Sequence, residues 1–273
     1  MKLLNGRELS GYIKERQARE VRSLRQAQKV FPKLAIIQAK DDPVINTYVR
    51  LKKQYGADLL VDVNVHRVAQ KEIPELIKKL NGDNSVHGII VQLPLENPSQ
   101  TDEIVNLVAP EKDVDALGQN AQFDPATPMA ILWLLSGYSV DLAGKAVLLI
   151  GRGKLVGAPL ERIFKASGIN VKVADRSTKS LANEVLKADV IITATGSPAI
   201  LYPDMIKLGA VVVDAGVASE EGKTVGDLAP EVYERDDLTI TPAKGGVGPL
   251  TVCALFENVI RAARQKIVVE PKS

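Results

Sequence analysis

The chain has 273 residues, of which 45% are hydrophobic and 25% charged, with a formal net charge of +2. That length exceeds what one core comfortably serves, so two modest domains are expected. Near-average composition and near-neutral charge exclude a disordered chain, a membrane protein and a coat for nucleic acid.

The opening "MKLLNGRELSGYIKERQ" is too charged for a signal peptide, and no later run is long enough to span a bilayer. A cytoplasmic location is the default expectation. Short β-branched runs then alternate with charged amphipathic stretches, the pattern of βαβ units feeding parallel sheets, so the fold class is α/β. In the first half "KLAIIQA", "LLVDVNVHRV" and "VHGIIVQL" read as strands, with helices starting near Asn46 and Lys71. Within "NTYVRLKK", Tyr48 and Lys52 stand four apart and share one helix face. Such a pair is either surface decoration, with apolar stems and wet polar tips, or half of an active site. Gln92 ends the strand in "HGIIVQLPL", followed by Leu93 and Pro94, at the carboxyl end where open α/β sheets bind ligands. An amide there can hold a lysine. Asp115 follows Asp113 in "EKDVDA", a setting where aspartate is also an ordinary turn former.

"TPMAILWLLSGY" reads as a helix linking the two domains, and a second strand series follows: "KAVLLIG", "INVKVAD", "ADVIITAT", "GAVVVDAG" and "LTITP". The series closes on the helical "TVCALFENVIRAARQK", whose Cys253, the only cysteine, reads as a small buried hydrophobe. Gly151, Gly153 and Gly157 lie where an apolar strand turns into an amphipathic helix, letting the backbone approach a pyrophosphate. Their spacing is G-x-G-x-x-x-G, one residue longer than the usual dinucleotide fingerprint. Asp175 ends the next strand, near where a Rossmann acid grips the adenosine ribose, and Thr195 and Gly196 sit at a further strand end in "TATGSP". Asp175 argues for the free 2′-hydroxyl of NAD, whereas Arg152, Arg176 and Ser177 suit the 2′-phosphate of NADP. NADP is the favoured reading, with NAD the alternative. "GGVGP" before the last helix offers backbone freedom and exposed N–H groups, a wall for a flat ligand at Gly248 and Pro249. Only His66 and His87 exist, widely separated and without ligand spacing, so no metal is expected.

A Tyr-x-x-x-Lys pair beside a glycine-rich turn suggests a short-chain dehydrogenase, but here the pair precedes the turn, in another domain. A substrate domain facing a cofactor domain across an active-site cleft is the better expectation. Taken together, "DP" and "TYVRLK" (42–52), "HGIIVQLPL" (87–95), "KDVD" (112–115), "TP" (127), "IGRGKLVGAP" (150–159), "DAG" (214), "GD" (226) and "GGVGPLT" (245–251) form an ordered set. In this the chain resembles the bifunctional methylenetetrahydrofolate dehydrogenase/cyclohydrolase family over essentially its whole length.

The resemblance implies two open α/β domains. One is a folate-binding catalytic domain over 1–125 and 252–273, the other a Rossmann-like dinucleotide-binding domain over 126–251. It implies oxidation of 5,10-methylenetetrahydrofolate with NADP, and hydrolysis of the methenyl product to 10-formyltetrahydrofolate, in one-carbon metabolism and purine biosynthesis. A homodimer is implied too. By resemblance, Tyr48 stacks on the folate, Lys52 is the catalytic lysine, Gln92 positions it and Asp115 binds the pterin. Leu93, Pro94, Gly248 and Pro249 line the substrate site, and Gly216, in "DAG", joins the cofactor residues. This chain departs from the family at Arg152-Gly153, where Arg-Ser is usual, and at Asp175-Arg176-Ser177-Thr178, where His-Ser-Arg-Thr is usual. "ALGQNAQFDPA" shortens the loop before "TP", and "TPAKGG" puts Lys244 near the cofactor side. A shikimate-type dehydrogenase and a cofactor-binding protein without catalysis are the rival readings.

Overall fold

The computed structural model of the chain describes residues 1–220 and 223–266. In chain order the first elements are β1 (Lys2–Leu3), α1 (Gly6–Gln26), β2 (Lys33–Gln38), α2 (Pro43–Leu59), β3 (Asp62–Arg67), α3 (Ile73–Gly82) and β4 (Gly88–Val91). Next come α4 (Thr101–Val105), α5 (Ala126–Gly137), β5 (Val147–Ile150), α6 (Gly157–Ala166), β6 (Val171–Ala174), α7 (Leu181–Val185) and β7 (Val190–Thr193). The last are β8 (Val211–Asp214), β9 (Ala218–Glu220), β10 (Lys223–Val225), β11 (Thr239–Ile240) and α8 (Val247–Arg264). No helix among the described residues is long and apolar enough to cross a membrane.

The chain divides into two compact units: residues 1–11 with 127–251, and residues 12–126 with 252–273. Residues 1–11, expected in the folate domain, instead belong to the first unit. The reason is strand pairing: β1 lies parallel to β11, with Leu4 N–H donating to the Ile240 carbonyl at 2.8 Å. A strand of two residues shows no alternation, so its partner is invisible in sequence. Gly6 seals the same junction, because a Cβ there would stand 1.8 Å from the Gly246 carbonyl oxygen. The expected linker helix, α5, lies in the first unit except for its first residue.

In the first unit the sheet runs β1-β11-β8-β7-β5-β6, all neighbours parallel. β6 lies on one side of β5 and β7 on the other, so the carboxyl end of β5 is the topological switch point. β5 and β7 are buried along their whole length, as expected of strands covered on both faces. Their core gathers Leu148, Ile191, Val212 and Ile240 beneath Leu201 and Val232.

The sheet of the second unit repeats this logic with β3-β2-β4, again parallel, and its switch point is the carboxyl end of β2. Ile37, Ile89 and Val91 pack against Ile73, Ile77 and Leu80 of α3. α2 begins where Asp42 accepts the N–H groups of Val44 and Ile45 at 2.9 and 3.2 Å with Pro43 in the first turn, and it stops at Leu60 in the left-handed region. On α8, Cys253 is buried and receives the Tyr55 hydroxyl at 3.1 Å from Sγ. Burial pushes its thiol up to about 11, which suits the expected inert, packed cysteine.

His87 precedes β4 at 6% exposure, with Nδ1 accepting the Lys33 N–H at 3.2 Å. Burial, helped by Lys266, Lys112 and Lys33, pushes the imidazole down to about 4. The folded value lies below the unfolded one near 6.5, so the unfolded state binds more protons and stability is lost as pH falls from 6.5 toward 4. Urea denaturation of wild type and His87→Asn, whose Oδ1 replaces Nδ1, is expected to diverge over that window by about 2 kcal/mol, wild type losing more. Parallel curves would refute it.

Candidate active site

Lys52 projects from α2, and its ammonium donates to Gln92 Oε1 at 2.8 Å. The two residues leave adjacent strands at their carboxyl ends, since α2 follows β2 and Gln92 follows β4. Gln92 N–H donates to the Ile37 carbonyl at 2.8 Å, extending the ladder by one residue. Its side-chain Nε2 donates to the Leu93 carbonyl at 3.1 Å, which leaves Oε1 turned to the lysine. Leu93 and Pro94, joined by a cis peptide, carry the chain onward. Tyr48 shares the Lys52 face, half-buried, and burial raises its phenol above the ordinary range.

Asp115 enters the same grouping through charge. Burial pushes the Lys52 ammonium below the ordinary lysine range, while the Asp115 carboxylate pulls it back up. Burial likewise raises Asp115, and Lys52 opposes that rise. The result is a lysine whose neutral amine is populated at a lower pH than in water. That gives an acid/base held by an amide and moderated by a carboxylate.

The loop carrying Asp115 is itself clamped. Lys112 is 2% exposed, and its ammonium donates to the Leu80, Asn81 and Asp83 carbonyls at 2.9, 2.8 and 2.8 Å. These carbonyls lie where α3 ends, a place that favours a cation; those of Leu80 and Asp83 also accept the Asp83 and Val86 N–H groups, at 3.3 and 3.1 Å. Asp113 accepts the Gly118 N–H at 2.7 Å, Ala116 takes a positive φ, and Asn258 of α8 donates to the Val114 and Asp124 carbonyls, each at 2.9 Å. Lys112→Met takes a donor from all three carbonyls and leaves that of Asn81 with no other partner among the described residues, and is expected to cost about 1–3 kcal/mol, read as a lowered urea midpoint. An unshifted midpoint would mean that the clamp is dispensable.

In the first unit Gly151 follows β5 at its switch point with φ +100°, and a Cβ there would stand 2.6 Å from the Ala194 carbonyl oxygen. Gly157 opens α6 so tightly packed that a Cβ would stand 2.1 Å from the Gly151 carbonyl oxygen. These two glycines therefore make the strand–helix junction. Gly153 differs, because a Cβ there meets nothing within 4 Å. It borders open space instead. Thr195 and Ser197 N–H groups donate to Asp227 at 2.8 and 3.1 Å, fixing the loop after β7 that includes Gly196. Asp227 itself is fully buried and donates its N–H to Asp214 at 3.0 Å. Gly216 packs on that carboxylate, where a Cβ would stand 2.0 Å from Asp227 Oδ1. A glycine turn at a switch point, an open position at Gly153 and carboxylate-fixed loops at the neighbouring strand ends suit a dinucleotide.

Family models for the tetrahydrofolate dehydrogenase/cyclohydrolase catalytic domain and its NAD(P)-binding domain match residues 4–115 and 125–267. The chain belongs to the tetrahydrofolate dehydrogenase/cyclohydrolase family. The bifunctional protein FolD of Nitratiruptor sp. is 36% identical over 97% of this chain and 99% of its own. The crystal structure of the FolD dehydrogenase/cyclohydrolase from Campylobacter jejuni has a TM-score of 0.91 at 36% identity, covering 97% and 99% of the two chains. The Trypanosoma brucei FolD structure, complexed with NADP and an inhibitor, has a TM-score of 0.91 at 29% identity, covering 98% of each chain. Shikimate 5-dehydrogenase from Thermus thermophilus shares the fold alone, with a TM-score of 0.52 at 14% identity. The two activities that name the family, dehydrogenase and cyclohydrolase, are those of this chain, and the shikimate-type and inactive readings are not favoured.

Within this dehydrogenase/cyclohydrolase the structure joins Lys52 to Gln92 and couples it to Asp115, all in the second unit. The glycine turn, Asp175, Arg176, Ser177, Thr195, Gly196 and Gly216 lie in the first. Gly248 and Pro249 also lie there, not ahead of α8 but in its first turn, where proline is tolerated and a Cβ on Gly248 would meet nothing within 4 Å. Sequence reasoning missed Glu161. At 7% exposure it accepts Arg152 Nε and Nη2 at 2.9 and 3.3 Å and Lys165 Nζ at 2.6 Å. Its spacing to Lys165, four residues along a helix, was the available signal. Among the described residues no group of three or more His, Cys, Asp or Glu side chains is arranged to hold a metal ion.

Proposed function

We propose that the chain oxidises 5,10-methylenetetrahydrofolate with NADP and hydrolyses the methenyl product to 10-formyltetrahydrofolate, with Lys52 as the acid/base. The hydrogen bond from the Lys52 ammonium to Gln92 Oε1 carries this reading, because it holds a partly desolvated lysine at a strand-end ligand site. A bound nicotinamide dinucleotide supplies the hydride acceptor. Gly151, Arg152, Gly153, Asp175, Arg176, Ser177, Thr195, Gly196 and Gly216 would hold it, and the NADP complex of the Trypanosoma brucei relative supports that choice of cofactor. Hydride loss leaves a cation spread over the two nitrogens that flank the methylene carbon, so this half needs positioning rather than a strong base. Tyr48, offering a ring on the Lys52 face, stacks on the folate, and Asp115 accepts from its pterin. Leu93 and Pro94 add substrate contacts beside Gln92, and the family resemblance assigns Gly248 and Pro249 to the substrate as well. In hydrolysis the neutral Lys52 amine takes a proton from water as its oxygen bonds to the methenyl carbon. The ammonium then returns a proton to the ring nitrogen as its bond to that carbon breaks, and the hydroxyl proton of the tetrahedral intermediate passes to water as the formyl C=O forms.

A spectrophotometric assay with 5,10-methylenetetrahydrofolate and either dinucleotide tests this directly. Turnover with both products is expected. Tight binding of folate and dinucleotide without turnover would favour a protein that has lost its catalysis. A homodimer belongs to the same reading and rests on the family resemblance, while a cytoplasmic location stays the default expectation from the sequence; a monomeric mass by light scattering would count against the former.

A further inference from the structure

We infer that Asp175 sets the cofactor balance of this chain, by accepting the free 2′-hydroxyl of the adenosine ribose in NAD and opposing the 2′-phosphate of NADP. The inference rests on the dinucleotide site proposed above and asks what its adenosine end selects. Asp175 is the first residue after β6, exposed, in a turn that its own groups hold together. Its N–H donates to Thr178 Oγ1 at 2.9 Å, and its carbonyl accepts the Thr178 N–H at 3.0 Å. The carboxylate Oδ1 accepts both the N–H and the hydroxyl of Ser177, at 2.9 and 2.5 Å. No described residue donates to Oδ2, so one oxygen of a fixed carboxylate stays open for a ribose hydroxyl.

The same geometry removes donors that a phosphate would use. Ser177 spends its hydroxyl and its N–H on Asp175. Arg152 is paired in fork fashion with the buried Glu161, which Lys165 also grips. Arg176 is then the cation of this turn that keeps no carboxylate partner among the described residues, and it stands beside Asp175 in sequence. A dianionic 2′-phosphate thus meets one committed guanidinium, one available guanidinium and an ionised carboxylate. Hydrogen bonds from Ser177, aided by Arg152, hold the Asp175 carboxyl below the usual carboxylate range, so its charge is present at neutral pH. The two carboxylates at this end make NAD a working cofactor alongside NADP.

The test is dinucleotide binding to the full chain without folate, by titration calorimetry with NADH and NADPH, alongside kcat/KM for NAD and NADP. In the wild type the two dissociation constants are expected to lie within about tenfold. Asp175→Asn keeps the acceptor for Ser177 but loses the charge. It is expected to weaken NADH, tighten NADPH and move their ratio by about tenfold or more. Glu161→Gln, which releases Arg152, is expected to tighten NADPH more than NADH. A wild-type preference for NADPH beyond about a hundredfold, or a ratio unmoved by Asp175→Asn in a variant of unchanged melting temperature, overturns the inference and leaves the dinucleotide site standing. Binding of neither dinucleotide overturns both.

Discussion

Lys52→Met is expected to bring hydrolysis of supplied 5,10-methenyltetrahydrofolate down by about 10²–10⁴-fold, to near the spontaneous rate, with folate and dinucleotide binding retained. Methionine keeps the unbranched stem and most of the packing of lysine while deleting the ammonium that donates to Gln92 Oε1. Removing a charge that burial disfavours holds the change in stability to about 1 kcal/mol. The hydride-transfer half is expected to respond less, since the positioning proposed for Tyr48 and Asp115 does not depend on the ammonium. Decoration makes the opposite forecast: an exposed lysine is replaceable with about 0.5 kcal/mol in stability and no change in rate. The deciding measurement is the methenyl hydrolysis rate of a variant with a normal melting curve, and a parent-like rate would remove Lys52 from the mechanism.

What could be read from the chain alone follows physical range. α2 was legible from its Tyr-Lys face, but the sequence reading starts it near Asn46, three residues late, because it takes no helix start from the Asp42 cap and Pro43 that open it. β5 and β7 were legible because unbroken apolar runs mark strands covered on both faces. α1 was not drawn out, although Gln17, Val21 and Leu24 make its buried stripe at helical spacing. The charges that surround them masked it, and one stripe member is polar because its Oε1 accepts the Tyr55 hydroxyl at 2.7 Å. Nor does sequence show that Lys112 caps α3, that Asp227 fixes the loop of Thr195, or that Glu161 engages Arg152. Each is a polar contact between segments joined only by the fold. The grouping of Lys52, Gln92 and Asp115 stood in the same position, and family resemblance supplied it where periodicity had nothing to offer.

Asp115→Asn tests that grouping from the other side. In the native chain burial lowers the Lys52 pKa and the Asp115 carboxylate opposes the shift. Without that negative charge the ammonium loses a favourable neighbour, so the lysine pKa falls further and its neutral amine is populated at lower pH. The rising limb of the hydrolysis rate against pH, governed by the free amine, is therefore expected to move to lower pH. If Asp115 binds the pterin as proposed, the asparagine also withdraws a charged acceptor, with an expected loss of about 1.5–3 kcal/mol, or roughly 10- to 150-fold in kcat/KM for both reactions. Stability should hold or rise, because burial already penalises the ionised carboxylate. A purely structural role for Asp115 would instead lower the melting temperature and leave the pH limb where it was. A limb that stays in place, or moves to higher pH, in a well-folded Asp115→Asn variant would separate Asp115 from Lys52 and leave the lysine to its amide partner alone.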